Sequence, residues 1–256
     1  MRSDTRILIC AILILVVIAM PVVIAAEIPT EPEGPSTLSV VNSTRRTPAS
    51  AATIDAQAGN VTELSIYGST VTQTWQAYYG NITGTITLDD ALNHTIYDWQ
   101  VTIPKGEIFA SEGPIDFAYG NVQCYDFNMT DVGYSDFNTL SEYETILGLD
   151  ASSADGIDET FEESTNYTTF YVGSKLINDI CPKTNPYDQN ETKDPNKFQE
   201  LLLYDNTSNK IVYTSILEQD ALGFDGRYWD FEMIVGENGH DGEAGTTQFY
   251  FYVEIE

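Results

Sequence analysis

From Gly59 onward, apolar and polar side chains alternate with a period of two. In residues 82–88, aliphatic residues and a glycine alternate with three threonines, and residues 249–256 alternate in a similar way. Successive side chains of a strand point to opposite faces, so this period predicts half-buried strands rather than helices. About ten such runs, separated by turn residues, predict an all-β fold: an antiparallel β-sandwich, Ig-like or jelly-roll-like, whose sheets each have one solvated face.

Residues 139–164 interrupt this alternation. Thr139 to Glu144 resemble a helix start, and Tyr143, Ile146 and Leu149 continue as an apolar stripe. We predict one short helix there. The segment has no linker composition, so one sandwich domain is favoured over two small ones.

The first 26 residues have the layout of a secretory signal. Arg2 and Arg6 precede an uncharged apolar run, residues 7–26, that ends in small residues before Glu27. A cleaved signal peptide and a retained anchor both fit, because 20 apolar residues span a bilayer as a helix. Either way the basic residues stay inside and the rest of the chain lies outside the membrane.

Residues 27–57 have the composition of a linker. They are rich in Pro, Glu and small polar residues, and cannot form a core. Leu38 to Val41 is the one run in this segment that could act as an isolated strand. The predicted sandwich domain therefore covers residues 58–256.

Two cysteines follow the apolar segment, Cys124 and Cys181. In an exported chain, two cysteines are most simply one disulfide. Cys10 lies inside the apolar run and is interpreted as apolar filler. His94 and His240 have no partner at metal-ligand spacing, so both are expected at the surface.

Asparagines in Asn-X-Ser/Thr sequons are the most informative residues of the chain. A bulky sugar on such an asparagine must reach solvent, and several of these sequons lie in turn contexts. We predict N-glycosylation at the following positions: Asn42, Asn60, Asn81, Asn93, Asn128, Asn166, Asn190 and Asn206.

The chain is strongly acidic, with 39 acidic residues against 11 Lys and Arg and a formal net charge of −28. Such a chain repels nucleic acid and anionic lipid, which excludes both as partners; a membrane contact is expected only through residues 7–26, if they are retained. External salt or bound Ca²⁺ would relieve the self-repulsion.

Two acidic loops are the main calcium candidates. Asp188, Asn190, Asp194 and Asn196 are evenly spaced in one loop, and Glu237, Asn238, Asp241 and Glu243 cluster in another. A third loop has Ser153, Asp155 and Glu162 around Gly156 at calcium-loop spacing. Ala151, however, stands where that motif needs its first Asp, so a standard calcium loop is not expected.

The chain carries no nucleophile-elbow, zinc-protease or phosphate-loop motif, and we expect no enzymatic activity and no obligatory cofactor. An alternative function is sugar binding, in which aromatic rings stack on the sugar. The candidates are Trp75, Tyr78 and Tyr79, or Tyr228 and Trp229. Alternation assigns Trp75 and Tyr79 to the core face of their strand and Tyr78 to the other face.

Several motifs resemble segments of an uncharacterised family of secreted archaeal cell-surface proteins. The resemblance covers roughly residues 57–256 and rests on five runs: WQAYYGNITG at 75–84, ITLDDA followed by YDW at 86–99, LEQD at 217–220, GFD at 223–225 and FYFYVE at 249–254. It implies export, a β fold and an archaeal envelope. It implies no activity and no functional residue.

We therefore expect an exported, N-glycosylated, non-enzymatic cell-surface protein of structural or adhesive type. Two other functions stay open. One is a filament subunit, in which a strand such as residues 38–41 completes the sheet of the next subunit. The other is a carbohydrate-binding module or a glycan-acting enzyme, which would show a groove lined by aromatics and acids.

Overall fold

The computed structural model describes residues 31–125, 140–150, 152–237 and 246–255. Fifteen strands form in these ranges: β1 Trp75–Gly80, β2 Gly84–Asp89, β3 Thr95–Val101, β4 Gly106–Ser111, β5 Val122–Cys124, β6 Glu162–Ser164, β7 Phe170–Val172, β8 Lys175–Ile177, β9 Cys181–Thr184, β10 Glu200–Asp205, β11 Lys210–Ile216, β12 Ala221–Leu222, β13 Tyr228–Trp229, β14 Phe231–Gly236 and β15 Tyr250–Ile255. The helical elements are α1 Leu140–Ile146, α2 Ile157–Thr160 and a 3₁₀ turn, Ala118–Gly120. The all-β class is confirmed, and so is a short helix after residue 139.

One antiparallel sheet of seven strands is the centre of the fold. Its order is β15-β4-β11-β10-β9-β6, and β5 pairs with the second half of β10, beyond the two residues that pair with β9. The β10–β11 hairpin turns at residues 206–209, where Asn209 adopts a positive φ of 55°. The remaining sheets are two-stranded: β1–β14, β2–β3, β7–β8 and β12–β13.

Both faces of the central sheet are buried. On one face, Leu202, Tyr204 and Tyr213 pack against α1, α2 and the β1–β14 sheet. On the other, Leu201 and Leu203 pack against β7, β8 and the 3₁₀ turn. Every residue of β10 is buried, so the predicted single solvated face is wrong for the central strands, which are covered by small elements on both sides.

The disulfide lies at the second of these faces. Cys124 on β5 and Cys181 on β9 are bonded, with their Cα atoms 5.0 Å apart, and both are buried. The bond joins two strands that pair with different halves of β10. It thereby fixes them side by side on one edge of the same strand.

Among the described residues, the first strand begins at Trp75. Residues 34–74 contain no helix or strand, and Leu38, Val40, Leu64 and Ile66 in this segment are exposed. Residues 38–41 pair with no other part of the described chain, and the alternation at Leu64 and Ile66 does not produce a strand. The apolar segment 7–26 lies outside the described residues; within them, no helix has the length and apolarity that a membrane span requires.

A β-bridge at Glu33 ties the start of the described chain to the central sheet. Glu33 forms an isolated antiparallel bridge with Val253 of β15, with N···O distances of 3.1 and 2.8 Å. In this register Pro35 stands opposite Phe251, and proline has no N–H to donate. Pairing at the edge of β15 cannot extend far in that direction.

Candidate functional site

The β2–β3 hairpin exposes an apolar face. Ile86 pairs with Trp99 and Leu88 with Tyr97 in its register, so the four side chains lie on one face. Their exposed fractions are 45%, 50%, 54% and 60%, respectively. The opposite face carries Thr85, Thr87, Asp98 and Gln100. The sequence predicted the composition of these faces correctly, but the face it assigned to the core is open to solvent.

The turn of this hairpin is organised by Asp90. One carboxylate oxygen accepts the backbone N–H groups of Leu92 and His94, at 2.8 and 2.9 Å, and the other oxygen lies 2.9 Å from the His94 ring. These contacts, the His94 backbone hydrogen bond first, lower the pKa of Asp90. Asn93 adopts a φ of 63°, a conformation that asparagine tolerates. The tip is therefore ordered by hydrogen bonds within the turn itself rather than by packing against the core.

The base of the hairpin is fixed to the rest of the fold. The Ile82 N–H donates to Asp230 Oδ2 at 2.8 Å. Gly84 lies so close to Ile255 that an added Cβ would stand 2.6 Å from its Cδ1. A two-stranded hairpin alone is only marginally stable in water. Its attachment at the base and its ordered turn present the apolar face as a defined surface.

Six of the seven sequon asparagines that the structure describes are exposed. Asn206 is half-buried, and its backbone N–H donates to the Asn121 carbonyl at 3.1 Å. Asn128 lies outside the described residues. The other six are exposed: Asn42, Asn60, Asn81, Asn93, Asn166 and Asn190. All six can accept a glycan sterically, and glycosylation stays a prediction.

A second aromatic group lies on the outer face of the β1–β14 sheet. The Tyr79 ring packs edge-on against Phe224 and Trp229, each with a centroid separation of 5.0 Å. Arg227 covers the Trp229 ring at 4.6 Å and pairs with Asp225. The rings cross at 72° and 61°, so they form no flat platform for a sugar ring.

The expected orientation of β1 is wrong for Tyr78 and Tyr79 and correct for Trp75, which packs against the core. Tyr78 packs into the core, edge-on against Phe251 at 5.1 Å, and Tyr79 lies on the outer face. Trp75 packs against Phe161 and donates its indole N–H to the Asp155 carbonyl at 2.8 Å. Residues three positions apart on a strand normally face opposite sides, yet Trp75 and Tyr78 both pack against the core. Trp75 can do so because it stands at the end of the strand, beside Phe161 at the end of α2.

Glu232, behind the outer aromatic group, is a buried acid that the sequence did not single out. It is 3% exposed, and its Oε1 accepts the Phe224 N–H at 3.0 Å. Burial, increased slightly by the charge of Asp225, raises the pKa of Glu232 to about 7. Glu200 is fully buried, accepts the Ile234 N–H at 2.9 Å, and has its pKa raised well above the usual range by burial. Both acids hold β14 in position.

The acidic loops singled out from the sequence satisfy much of their own polarity. Asp188 Oδ1 accepts the N–H groups of Asn190 and Thr192, at 2.8 and 3.1 Å. Asp194 accepts the Asn196 N–H at 3.0 Å and lies 3.6 Å from the Lys197 ammonium. Glu237 accepts the Thr247 hydroxyl at 3.1 Å. Asn238, His240, Asp241 and Glu243 lie outside the described residues, and calcium in these loops stays a prediction.

Asp155, from the third loop, has a structural role. Its carboxylate accepts the hydroxyls of Thr72 and Ser153, and these bonds, Thr72 first, lower its pKa. Together with the Trp75 indole bond to its carbonyl, they fasten this loop to the start of β1. Glu162 lies on β6, opposite Lys183 of β9.

A different acidic group forms where α1 meets α2. Ligand atoms of Glu144, Asp158 and Glu159 all lie within 4.8 Å of one another. Glu144 is buried, whereas Asp158 and Glu159 are exposed. Burial, and then the adjacent Asp158 carboxyl, raises the pKa of Glu144. No ligand spacing in the sequence indicates this group, because Glu144 stands 14 and 15 residues before the other two acids.

Comparison with known proteins returned no similarity: no family model matches the chain, and neither a curated protein nor a solved structure resembles it.

Proposed function

We propose that the chain is an exported, N-glycosylated cell-surface protein of structural or adhesive type, without an enzymatic role. Copies of it meet through the apolar face of the β2–β3 hairpin. The observation that carries this proposal is that face: four large uncharged side chains, Ile86, Leu88, Tyr97 and Trp99, each about half-exposed on an ordered hairpin.

Export is supported by three independent features. The chain opens with a basic and then apolar segment, it contains a disulfide, and six described sequon asparagines are exposed. Disulfides persist in oxidising compartments, and N-glycans need solvent-exposed asparagines. The irregular segment 34–74 would hold the folded domain away from a membrane anchor or a neighbouring layer.

A second copy of the chain is the partner that we propose for this face, because the face itself is uncharged. With a net charge of −28, two copies repel one another over most of their surfaces. The four hairpin side chains carry no charge at neutral pH, so this face is a region where two copies approach at low electrostatic cost. Contiguous apolar surface on an otherwise polar protein marks interaction sites. A two-fold arrangement would place the same side chains on both sides of the contact.

The test is sedimentation of the purified full chain over a range of concentrations and at two salt concentrations. We expect concentration-dependent self-association that strengthens with salt, and its loss in Tyr97→Ser and Trp99→Ser. Tyr228→Ser is the matched control, since Tyr228 is 61% exposed and Tyr97 60%. A monomeric wild type, or equal loss in the control, contradicts the proposal. If the chain is monomeric and binds a different surface protein through this face, that protein and not a second copy is the partner.

Strand exchange between subunits is the second candidate. The Glu33–Val253 bridge shows that the edge of β15 accepts the chain's own N-terminal segment, and a neighbouring subunit's segment would use the same backbone groups. Pro35 limits such pairing, which makes it the weaker candidate. Deleting residues 27–41 separates the two: it would abolish assembly by exchange and leave assembly through the hairpin intact.

A further inference from the structure

We propose that Glu144, Asp158 and Glu159 form a Ca²⁺ site that joins α1 to α2. Asp158 and Glu159 lie within the third loop of the sequence analysis, but none of the three residues is one of the candidate ligands predicted for that loop. The inference is independent of the proposed surface function.

The geometry of the three side chains fits one shared cation. Their ligand oxygens lie within 4.8 Å of one another. Oxygens that bind the same Ca²⁺ at 2.3–2.6 Å are at most about 5 Å apart. Gly156 keeps this space open, because a Cβ there would collide with Glu144 Oε1 and with Glu159 Oε2.

Glu144 provides the second observation. It is 1% exposed, and its two carboxylate oxygens have different surroundings. Oε1 accepts the backbone N–H of Ile157 at 2.7 Å and that of Asp158 at 3.3 Å. Oε2 is buried and has no hydrogen-bond donor. A buried carboxylate oxygen without a donor is costly, and its polar neighbours here are carboxylates, which only accept when ionised.

A bound cation is a better partner for these three carboxylates than the basic side chains of the protein are. The three ion pairs of the described residues are elsewhere, at Asp90, Asp194 and Asp225. Because Asp158 and Glu159 are exposed, water can fill the outward coordination positions of a hard cation with six to eight oxygen ligands. The alternative is a proton shared between Glu144 and Asp158, which would need no metal.

The experiment is a Tb³⁺ titration of the full-length oxidised chain after EDTA treatment, with Ca²⁺ competition and melting curves at constant ionic strength. Trp75 is the sensitiser, since its indole N–H bonds to the Asp155 carbonyl, three residues from Asp158. We expect saturable Tb³⁺ luminescence that Ca²⁺ displaces, together with a higher melting temperature in Ca²⁺.

Two variants and one control make the result specific. Glu144→Gln keeps the Oε1 acceptor for Ile157, and Glu159→Gln alters an exposed side chain, so folding is retained in at least the second. Each should weaken Ca²⁺ affinity by tenfold or more, whereas Asp188→Asn should leave the luminescence of this site unchanged. No sensitised luminescence in the wild type, or equal affinity in wild type and Glu159→Gln, overturns the proposal; the first result would also favour the shared proton.

Discussion

Ile86 lies directly opposite Trp99 in the β2–β3 register, and about half of each side chain is exposed. Beside this pair, the Tyr97 and Trp99 rings are in contact, with a centroid separation of 4.9 Å. Full burial of a large apolar side chain stabilises by about 1.5–3 kcal/mol. The hairpin thus keeps unburied surface that a contact between copies would cover, which is the physical basis of the proposed association.

Loss of the disulfide should destabilise the fold without changing it. The bond closes a separation of 57 residues, for which the chain-entropy estimate is about 4 kcal/mol. We expect the Cys124→Ala/Cys181→Ala variant to unfold at lower guanidinium concentration, with an unfolding free energy smaller by up to that amount. Free thiols in the exported protein, or an unchanged midpoint, would contradict the assignment.

Stability should fall as pH rises from about 4.5 to 7. The folded-state pKa of Glu232 is raised to about 7 from its usual 4.5, so folding favours the protonated form. Its contribution is fully present below pH 4.5 and is lost as pH rises through 7, by at most about 3 kcal/mol. Glu200, whose pKa burial also raises, acts in the same direction.

Urea unfolding across pH 4.5 to 8 measures this effect. Glu232→Gln should flatten the slope, because glutamine still accepts the Phe224 N–H but does not ionise. Glu163→Gln, an exposed acid on β6, is the control and should leave the slope unchanged. A wild type more stable at pH 8 than at pH 5 would show that these acids are ionised at little cost in the fold.

Much of the fold follows from local sequence. The period of two identifies β1, β2, β3, β14 and β15, and the two cysteines identify the disulfide. The features that the sequence does not predict depend on contacts between residues that are far apart in the chain. Glu200 is buried because it accepts an N–H from Ile234, 34 residues away, and nothing local distinguishes it from a solvated acid. Similarly, alternation shows which hairpin face is apolar but not whether anything covers it.

The candidate sites show the same limit. Regular spacing drew attention to Asp188 and Asp194, whose oxygens are largely used by their own loop. The group at Glu144 forms only because α2 lies beside α1, which brings the Ile157 N–H to the Glu144 carboxylate. A tertiary turn of this kind leaves no ligand motif in the sequence.

Gly106 should tolerate no side chain. Its φ is +113°, and an added Cβ would collide with the Glu254 carbonyl oxygen, which belongs to the neighbouring strand β15. Backbone cannot move aside as a side chain can, so we expect Gly106→Ala to cost at least about 1–3 kcal/mol of unfolding free energy. Gly68→Ala is the control, since nothing lies within 4 Å of its added Cβ. Equal melting temperatures of the two variants would refute the strand contact.

Salt should stabilise the folded chain. Its 39 acidic residues face 11 Lys and Arg, so long-range repulsion acts against the compact state. The screening length falls from about 10 Å at 0.1 M to 3 Å at 1 M salt. We expect the melting temperature to rise with NaCl, and KCl to give the same shift if screening is the cause. A flat curve would show that self-repulsion does not limit stability.

Glycoproteomic mass spectrometry of peptides released by protease from intact producing cells tests the surface-glycoprotein account most directly. We expect peptides of this chain to be released from the outside of the cell, with glycans on Asn81 and Asn93, the exposed asparagines at the base and tip of the hairpin. Recovery of the chain only after lysis, with every sequon peptide unmodified, would contradict it.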